Sequence, residues 1–214
     1  LKQLGFNVDY APVADVLTNP GNTAIGTRSF GSDASMVADM VIKELEGLSS
    51  QGVFGAVKHF PGQGGVSGDS HDGAVTLDKS LEELMQTELV PFQKALENGV
   101  SFVMVGHISV PQVVGDNTPA SLSQMMVSNV LREQLGYQGI VITDAMNMGA
   151  VTGNYTADQA AVMAVNAGVD MILMPQDYET AYNGLLQAVQ DGTISEERID
   201  ESVERIVKVK LQMQ

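Results

Sequence analysis

Five short, almost uninterrupted apolar runs, each followed by a stretch with helical spacing, constrain this chain more than any other feature of its sequence. They run from Asn7 to Val13, Gly55 to Phe60, Ser101 to His107, Gly139 to Asp144 and Asp170 to Pro175. Consecutive side chains of a strand point to opposite faces. Runs without polar alternation therefore read as strands buried on both faces, as in a parallel sheet covered by helices. The segments between them carry helical stripes. Val37, Val41, Leu45 and Leu48 form one, and Leu89, Phe92 and Leu96 form another that stops at Asn98-Gly99. Leu122, Met126 and Val130 follow Ser121, read as an N-cap. Ser195 is expected to open a last helix with Ile199, Val203 and Ile206 facing inward. These stripes are core positions.

Such alternation means an α/β fold. Two architectures compete. A doubly wound sheet closes at five strands, whereas a (β/α)8 barrel needs about 250 residues. The placement of polar residues favours the barrel. Asp15, Lys58, His59, His107 and Asp144 all fall at the C-terminal ends of runs, the end at which barrels carry their chemistry. No strand is followed by a G-x-G-x-x-G turn or a P-loop. The chain opens at Leu1, inside a segment that reads as a helix end. The expectation is therefore a single barrel domain over residues 1–214, truncated at its N-terminus and lacking its first strands, which would be unable to close on its own. A leader upstream would be invisible, so cytoplasm and secretion to the cell envelope both stay open.

Composition narrows the partners. Eleven Lys and Arg stand against 26 Asp and Glu, giving a formal charge of −15. That surface repels nucleic acid and anionic lipid. There is no cysteine, which removes disulfides and thiolate metal sites. No apolar run approaches the roughly 20 residues needed to span a bilayer. Oligomeric state is not readable.

The densest chemistry lies in Lys58-His59-Phe60-Pro61-Gly62-Gln63-Gly64-Gly65-Val66-Ser67-Gly68-Asp69-Ser70-His71-Asp72. A buried strand delivers Lys58 and His59 to its end, and a long Gly-rich loop follows, of a length that compact domains usually keep for function. Within it Asp69 and His71 are two apart. A turn there brings the carboxylate onto one imidazole nitrogen, fixing the tautomer and leaving the other nitrogen free for proton transfer. The same residues could be only a solvated turn, or, with Asp72, a divalent-metal site. Asp144 ends a strand too apolar to hold a charge along its length. It is either an ionised carboxylate facing a cleft or the N-cap of the next helix. Arg28, in a Gly- and Asn-rich loop, could grip sugar hydroxyls or order the loop through a salt bridge. Asp15 reads as structural, pairing with a nearby loop. Together the two main sites point to retaining glycoside hydrolysis, with Asp144 attacking the anomeric carbon and His71, oriented by Asp69, moving the proton.

Seven segments carry a family resemblance. They are Ala11-Pro12-Val13-x-Asp15, Ile25-Gly26-x-Arg28-Ser29-Phe30-Gly31, Lys58-His59-Phe60-Pro61-Gly62, Asp69-Ser70-His71, Pro119-Ala120-Ser121-Leu122-Ser123, Leu131-Arg132-Glu133 and Thr143-Asp144-Ala145-Met146-x-Met148. In order and spacing they resemble the catalytic domain of glycoside hydrolase family 3, in its β-N-acetylglucosaminidase (β-N-acetylhexosaminidase) branch. The resemblance implies a (β/α)8 or closely related barrel. It implies Asp144 as nucleophile, His71 as acid/base and Asp69 as its partner. Arg28, Lys58 and His59 would be contacts to the sugar. It implies no metal and no organic cofactor, and an oligosaccharide substrate from cell walls or chitin. Where the family often has His and Asp, this chain has Gln63 and Gly65, so altered loop packing or leaving-group preference is expected. Three alternatives stand beside this reading: a phosphorylase of the same sugar, a β-glucosidase of the same family, and a Schiff-base lyase using Lys58.

Overall fold

The computed structural model describes residues 1–213. Six strands occur among them: β1 (Val8–Asp9), β2 (Phe54–Phe60), β3 (Val75–Thr76), β4 (Phe102–Val105), β5 (Ile108–Ser109) and β6 (Ile140–Thr143). The main sheet is parallel throughout, in the order β1-β2-β4-β6, with Val8 opposite Phe54, Ala56 opposite Phe102 and Phe102 opposite Ile140. A side pair, β3 and β5, is also parallel.

Eight α-helices surround the sheet: α1 (Ala34–Ser50), α2 (Leu81–Gln86), α3 (Val90–Glu97), α4 (Pro111–Val114), α5 (Gly149–Thr152), α6 (Ala157–Ala167), α7 (Tyr178–Gln190) and α8 (Glu196–Gln212). Their starts follow capping chemistry. Asp33, Asp177 and Ser195 each accept the backbone N–H three residues on. Ser80 and Glu83 form a reciprocal capping box. Helices lie close on the sheet because Gly55 leaves room: a Cβ there would meet Leu45 of α1 at 2.5 Å and the Ala11 carbonyl at 2.9 Å. β4 and β6 are buried along their whole lengths, as the unbroken apolar runs require. Among the described residues no helix is long and apolar enough to cross a membrane.

Four sequence expectations need correction. The fifth run, from Asp170, does not become a strand. It touches β6 at a single parallel bridge, Ile142 to Met171. The Asp170 carboxylate takes the Val141 N–H (2.9 Å) and binds Arg132 (2.6 Å), Ser202 (2.7 Å) and Arg205 (3.1 Å), beside the backbone bonds that Asp170 and Met171 give to the Val141 carbonyl. The same cluster turns α8. Ser202 and Val209 face inward while Val203 is exposed, because Arg198, Ser202 and Arg205 must reach the strand edge. Ser121 caps nothing, since it lies in a 3-10 turn (Ala120–Leu122) and its hydroxyl serves His107. The stripe Leu122, Met126 and Val130 is buried as expected, although Met125–Gln134 is a π-helix. Finally, the first run pairs as β1 for two residues only. Pro12 lacks an N–H, and the chain continues beside β2 through carbonyl acceptors, with Ala11 and Pro12 receiving the N–H groups of Ala56 and Lys58.

Candidate active site

The C-terminal ends of β1, β2, β4 and β6 converge on a cluster of ionisable side chains. Between Val57 and Phe60 the register of β2 against β4 shifts, and an irregularity of this kind re-aims side chains. Lys58 and His59 occupy the shift. His59 sits between two carboxylates. Its Nδ1–H donates to Asp15 Oδ2 at 2.7 Å, and its Nε2 lies 3.9 Å from Asp144 Oδ2. Asp15 is wholly buried and is a hub. Its Oδ1 also accepts the backbone N–H of Gln63 (2.6 Å) and of His59 (3.3 Å). From sequence, Asp15 reads as a structural partner of a loop. The pairing is there, but its chief effect is to fix the ring that faces Asp144. The pair is separated by 44 positions, which no local pattern reveals.

Asp144 follows β6. Its N–H donates to the Val105 carbonyl (2.8 Å), and its Oδ1 accepts the N–H of Ala145 (2.8 Å). It caps no helix: α5 begins five residues later, at Gly149, behind Met148. The carboxylate is 16% exposed, so one edge opens to the cleft while the rest is enclosed. Behind it stands His107, buried, whose Nε2 donates to the Ala145 carbonyl at 3.0 Å. A carbonyl only accepts, so Nε2 carries the proton and Nδ1 accepts the Ser121 hydroxyl at 2.7 Å. Burial pushes the His107 imidazole below its usual range, against the opposing pull of Asp144. A neutral His107 suits that role.

The loop after β2 supplies the second half. His71 Nδ1–H donates to Asp69 Oδ1 at 2.7 Å, and the same oxygen takes the His71 backbone N–H at 2.9 Å. The backbone N–H first, then the imidazole, hold the Asp69 carboxyl below the usual carboxylate range. The pair is open to solvent, His71 being 64% exposed and Asp69 37%. The turn is nevertheless anchored. Gly149 and Ala150, at the start of α5, donate their N–H groups to the carbonyls of His71 and Ser70. A Cβ on Gly149 would meet the His71 carbonyl at 2.7 Å. The loop that carries His71 is thus tied to the segment that follows Asp144.

The structure brings Lys58, His59 and Asp144 together at one strand end. Burial pushes the Lys58 ammonium below the usual lysine range; the charge of Asp144 opposes this and that of Arg28 adds to it. Arg28 lies in a 3-10 turn, Gly26–Arg28, and donates to the Ala24 carbonyl at 2.6 Å. Among the described residues it makes no salt bridge, and its charge reaches both Lys58 and Asp69. Asp69 and His71 form their pair at the rim. Among the described residues no three His, Asp or Glu side chains are grouped as a metal site; Asp72 contributes no ligand beside Asp69 and His71. The arrangement offers a carboxylate open on one edge, a proton carrier in contact with water, and two cationic side chains suited to hydroxyl and carbonyl oxygens.

Comparison with known proteins converges on one family. The model of the glycosyl hydrolase family 3 N-terminal domain matches residues 1–209. "Beta-hexosaminidase A" of Pseudoalteromonas piscicida is 31% identical over the whole chain, which spans 39% of that protein. "Beta-hexosaminidase LpqI" of Mycobacterium tuberculosis is 37% identical over 98% of the chain, which spans 55% of it. Among solved structures, a family 3 β-N-acetylglucosaminidase from a Paenibacillus species superposes with a TM-score of 0.97 and 41% identity, covering 100% of this chain and 41% of that one. The α/β fold is therefore that of the barrel-type N-terminal domain of those structures.

Proposed function

The chain belongs to glycoside hydrolase family 3, and from that premise we propose that the protein is a retaining β-N-acetylhexosaminidase. It removes terminal β-linked N-acetylglucosamine from oligosaccharides derived from cell walls or chitin. Residues 1–214 are read as part of one catalytic barrel domain.

The observation that carries this reading is the solvent-facing Asp69–His71 pair, anchored to the segment that follows Asp144. Asp144 attacks the anomeric carbon as the bond to the leaving oxygen breaks, and His71 gives its Nε2 proton to that oxygen. In the second step His71 takes a proton from water, the water oxygen bonds to the anomeric carbon, and the bond to Asp144 breaks. Asp69 holds Nδ1–H throughout, so Nε2 is the atom that exchanges protons. The rule that reads stereochemistry from carboxylate spacing does not apply, because the acid is an imidazole. Lys58, His59 and Arg28 bind the sugar. His59 is held by Asp15, and Lys58 and Arg28 supply positive charge beside the hydroxyls.

The test is hydrolysis of an aryl β-N-acetylglucosaminide and of the matching β-glucoside by the whole protein, each with and without inorganic phosphate. Turnover of the N-acetyl sugar alone, indifferent to phosphate, is expected. Preference for the glucoside would overturn the substrate assignment, and strict phosphate dependence would make the protein a phosphorylase.

A further inference from the structure

We propose that Gln63 is the positioning residue of the proton-transfer loop: its buried side-chain amide fixes Ser70, and through Ser70 the turn that presents His71. The inference rests on His71 being the acid/base.

Three observations converge on Gln63. First, the turn has one buried residue. Asp69 and His71 face solvent, whereas Ser70 between them is 1% exposed. Ser70 is therefore the point at which the turn is held. Its hydroxyl accepts from Gln63 Nε2 at 3.0 Å, and its carbonyl accepts the Ala150 N–H at 3.1 Å. Second, Gln63 is itself fixed at both backbone atoms. Its N–H goes to Asp15 Oδ1 at 2.6 Å, and its carbonyl takes Asn22 Nδ2 at 2.6 Å. The side chain is 3% exposed, so its amide has no water to exchange with. Third, Asp15 is the carboxylate that holds His59 against Asp144. One short chain of bonds, His59–Asp15–Gln63–Ser70, therefore links the ring beside the nucleophile to the turn of the proton donor.

A group acting through His71 must show itself where protonation matters. Expulsion of a sugar or alkoxide leaving group needs the proton; expulsion of a dinitrophenolate, already a weak base, needs it little. The experiment compares Gln63→Met, which keeps volume but cannot donate to Ser70, with Gln63→Glu and His71→Ala, all in the whole protein. The substrates are N,N′-diacetylchitobiose and 2,4-dinitrophenyl β-N-acetylglucosaminide. Mispositioning by about an ångström can lower a rate about 100-fold. Gln63→Met is expected to lower kcat/KM on the disaccharide by about that factor and on the aryl substrate far less. In Gln63→Glu the Ser70 hydroxyl can donate instead, so the disaccharide rate should recover partly. Equal losses of Gln63→Met on both substrates would overturn the inference, as would no loss on either. If His71→Ala shows no dependence on leaving group, the assignment of His71 fails, and the inference with it. If His71→Ala shows that dependence and Gln63→Met does not, the inference alone fails.

Discussion

Two imidazole–carboxylate pairs in this molecule share one bond length and little else. His59 with Asp15 and His71 with Asp69 each join through Nδ1 at 2.7 Å. The first pair is 6% and 0% exposed, and the second mostly open to water. Burial makes the first a fixed element, since neither partner can exchange its bond for water without leaving an unpaired group in the interior. Exposure suits the second to the working role proposed for it: the carboxylate selects the tautomer, while the far nitrogen stays open to solvent. The bond is the same, and its surroundings decide whether it is locked in place or free to exchange protons with water.

Predictions that break or sharpen this contrast differ in size. The largest lies between the two pairs, at the carboxylate facing His59. Asp144→Asn keeps shape and removes the proposed nucleophile, and kcat should fall by at least about 1000-fold with sugar affinity retained. Calorimetric titration with N-acetylglucosamine, run beside the turnover assay, checks both halves; unchanged turnover sinks the assignment. Next comes Asp15→Ala. It strips a buried imidazole and two backbone N–H groups of their acceptor, and stability should drop by about 3 kcal/mol in chemical denaturation. A smaller change follows at the open pair. Asp69→Ala should alter stability by about 1 kcal/mol or less, because solvent replaces the lost bond, while turnover of a disaccharide falls about 100-fold through loss of the oriented acid. Equal destabilisation by Asp15→Ala and Asp69→Ala would erase the distinction between the pairs.

The smallest effect belongs to His107. Its folded imidazole titrates below the usual value of 6.5, so between that value and its own the unfolded chain binds more protons. Stability from this group is thus complete above about pH 6.5 and falls as pH drops toward the lowered value. A His107→Asn variant should lose that part of the slope in melting temperature against pH. An unchanged slope would assign the acid sensitivity to other groups.

Much of this was legible in the sequence. Unbroken apolar runs gave the parallel sheet, polar residues at run ends gave Lys58, His59 and Asp144 as candidates, and the Gly-rich loop gave Asp69 and His71. The spacing of Asp69 and His71 permitted their bond but did not separate it from a solvated turn. What escaped was whatever depends on long-range pairing. Asp15 beneath His59 and His107 behind Ala145 are joined across 44 and 38 positions. Gln63 could be noticed as a departure from the family, but its role required seeing that Ser70 is buried. The run at Asp170 meets β6 at one bridge only, and nothing in the sequence shows that its carboxylate is captured by three side chains from distant helices.

That capture has a bearing on how the protein can change. Asp170 and its arginines fasten α8 near the start of β6, while Asp144 follows the end of the same strand, and the two clusters share no residue. A change in the loops at the Asp144 end can then leave that fastening intact. For anyone altering this scaffold, the arginine-bound end is a part to leave alone, and changes on the opposite side are constrained instead by the bonds that hold the His71 turn.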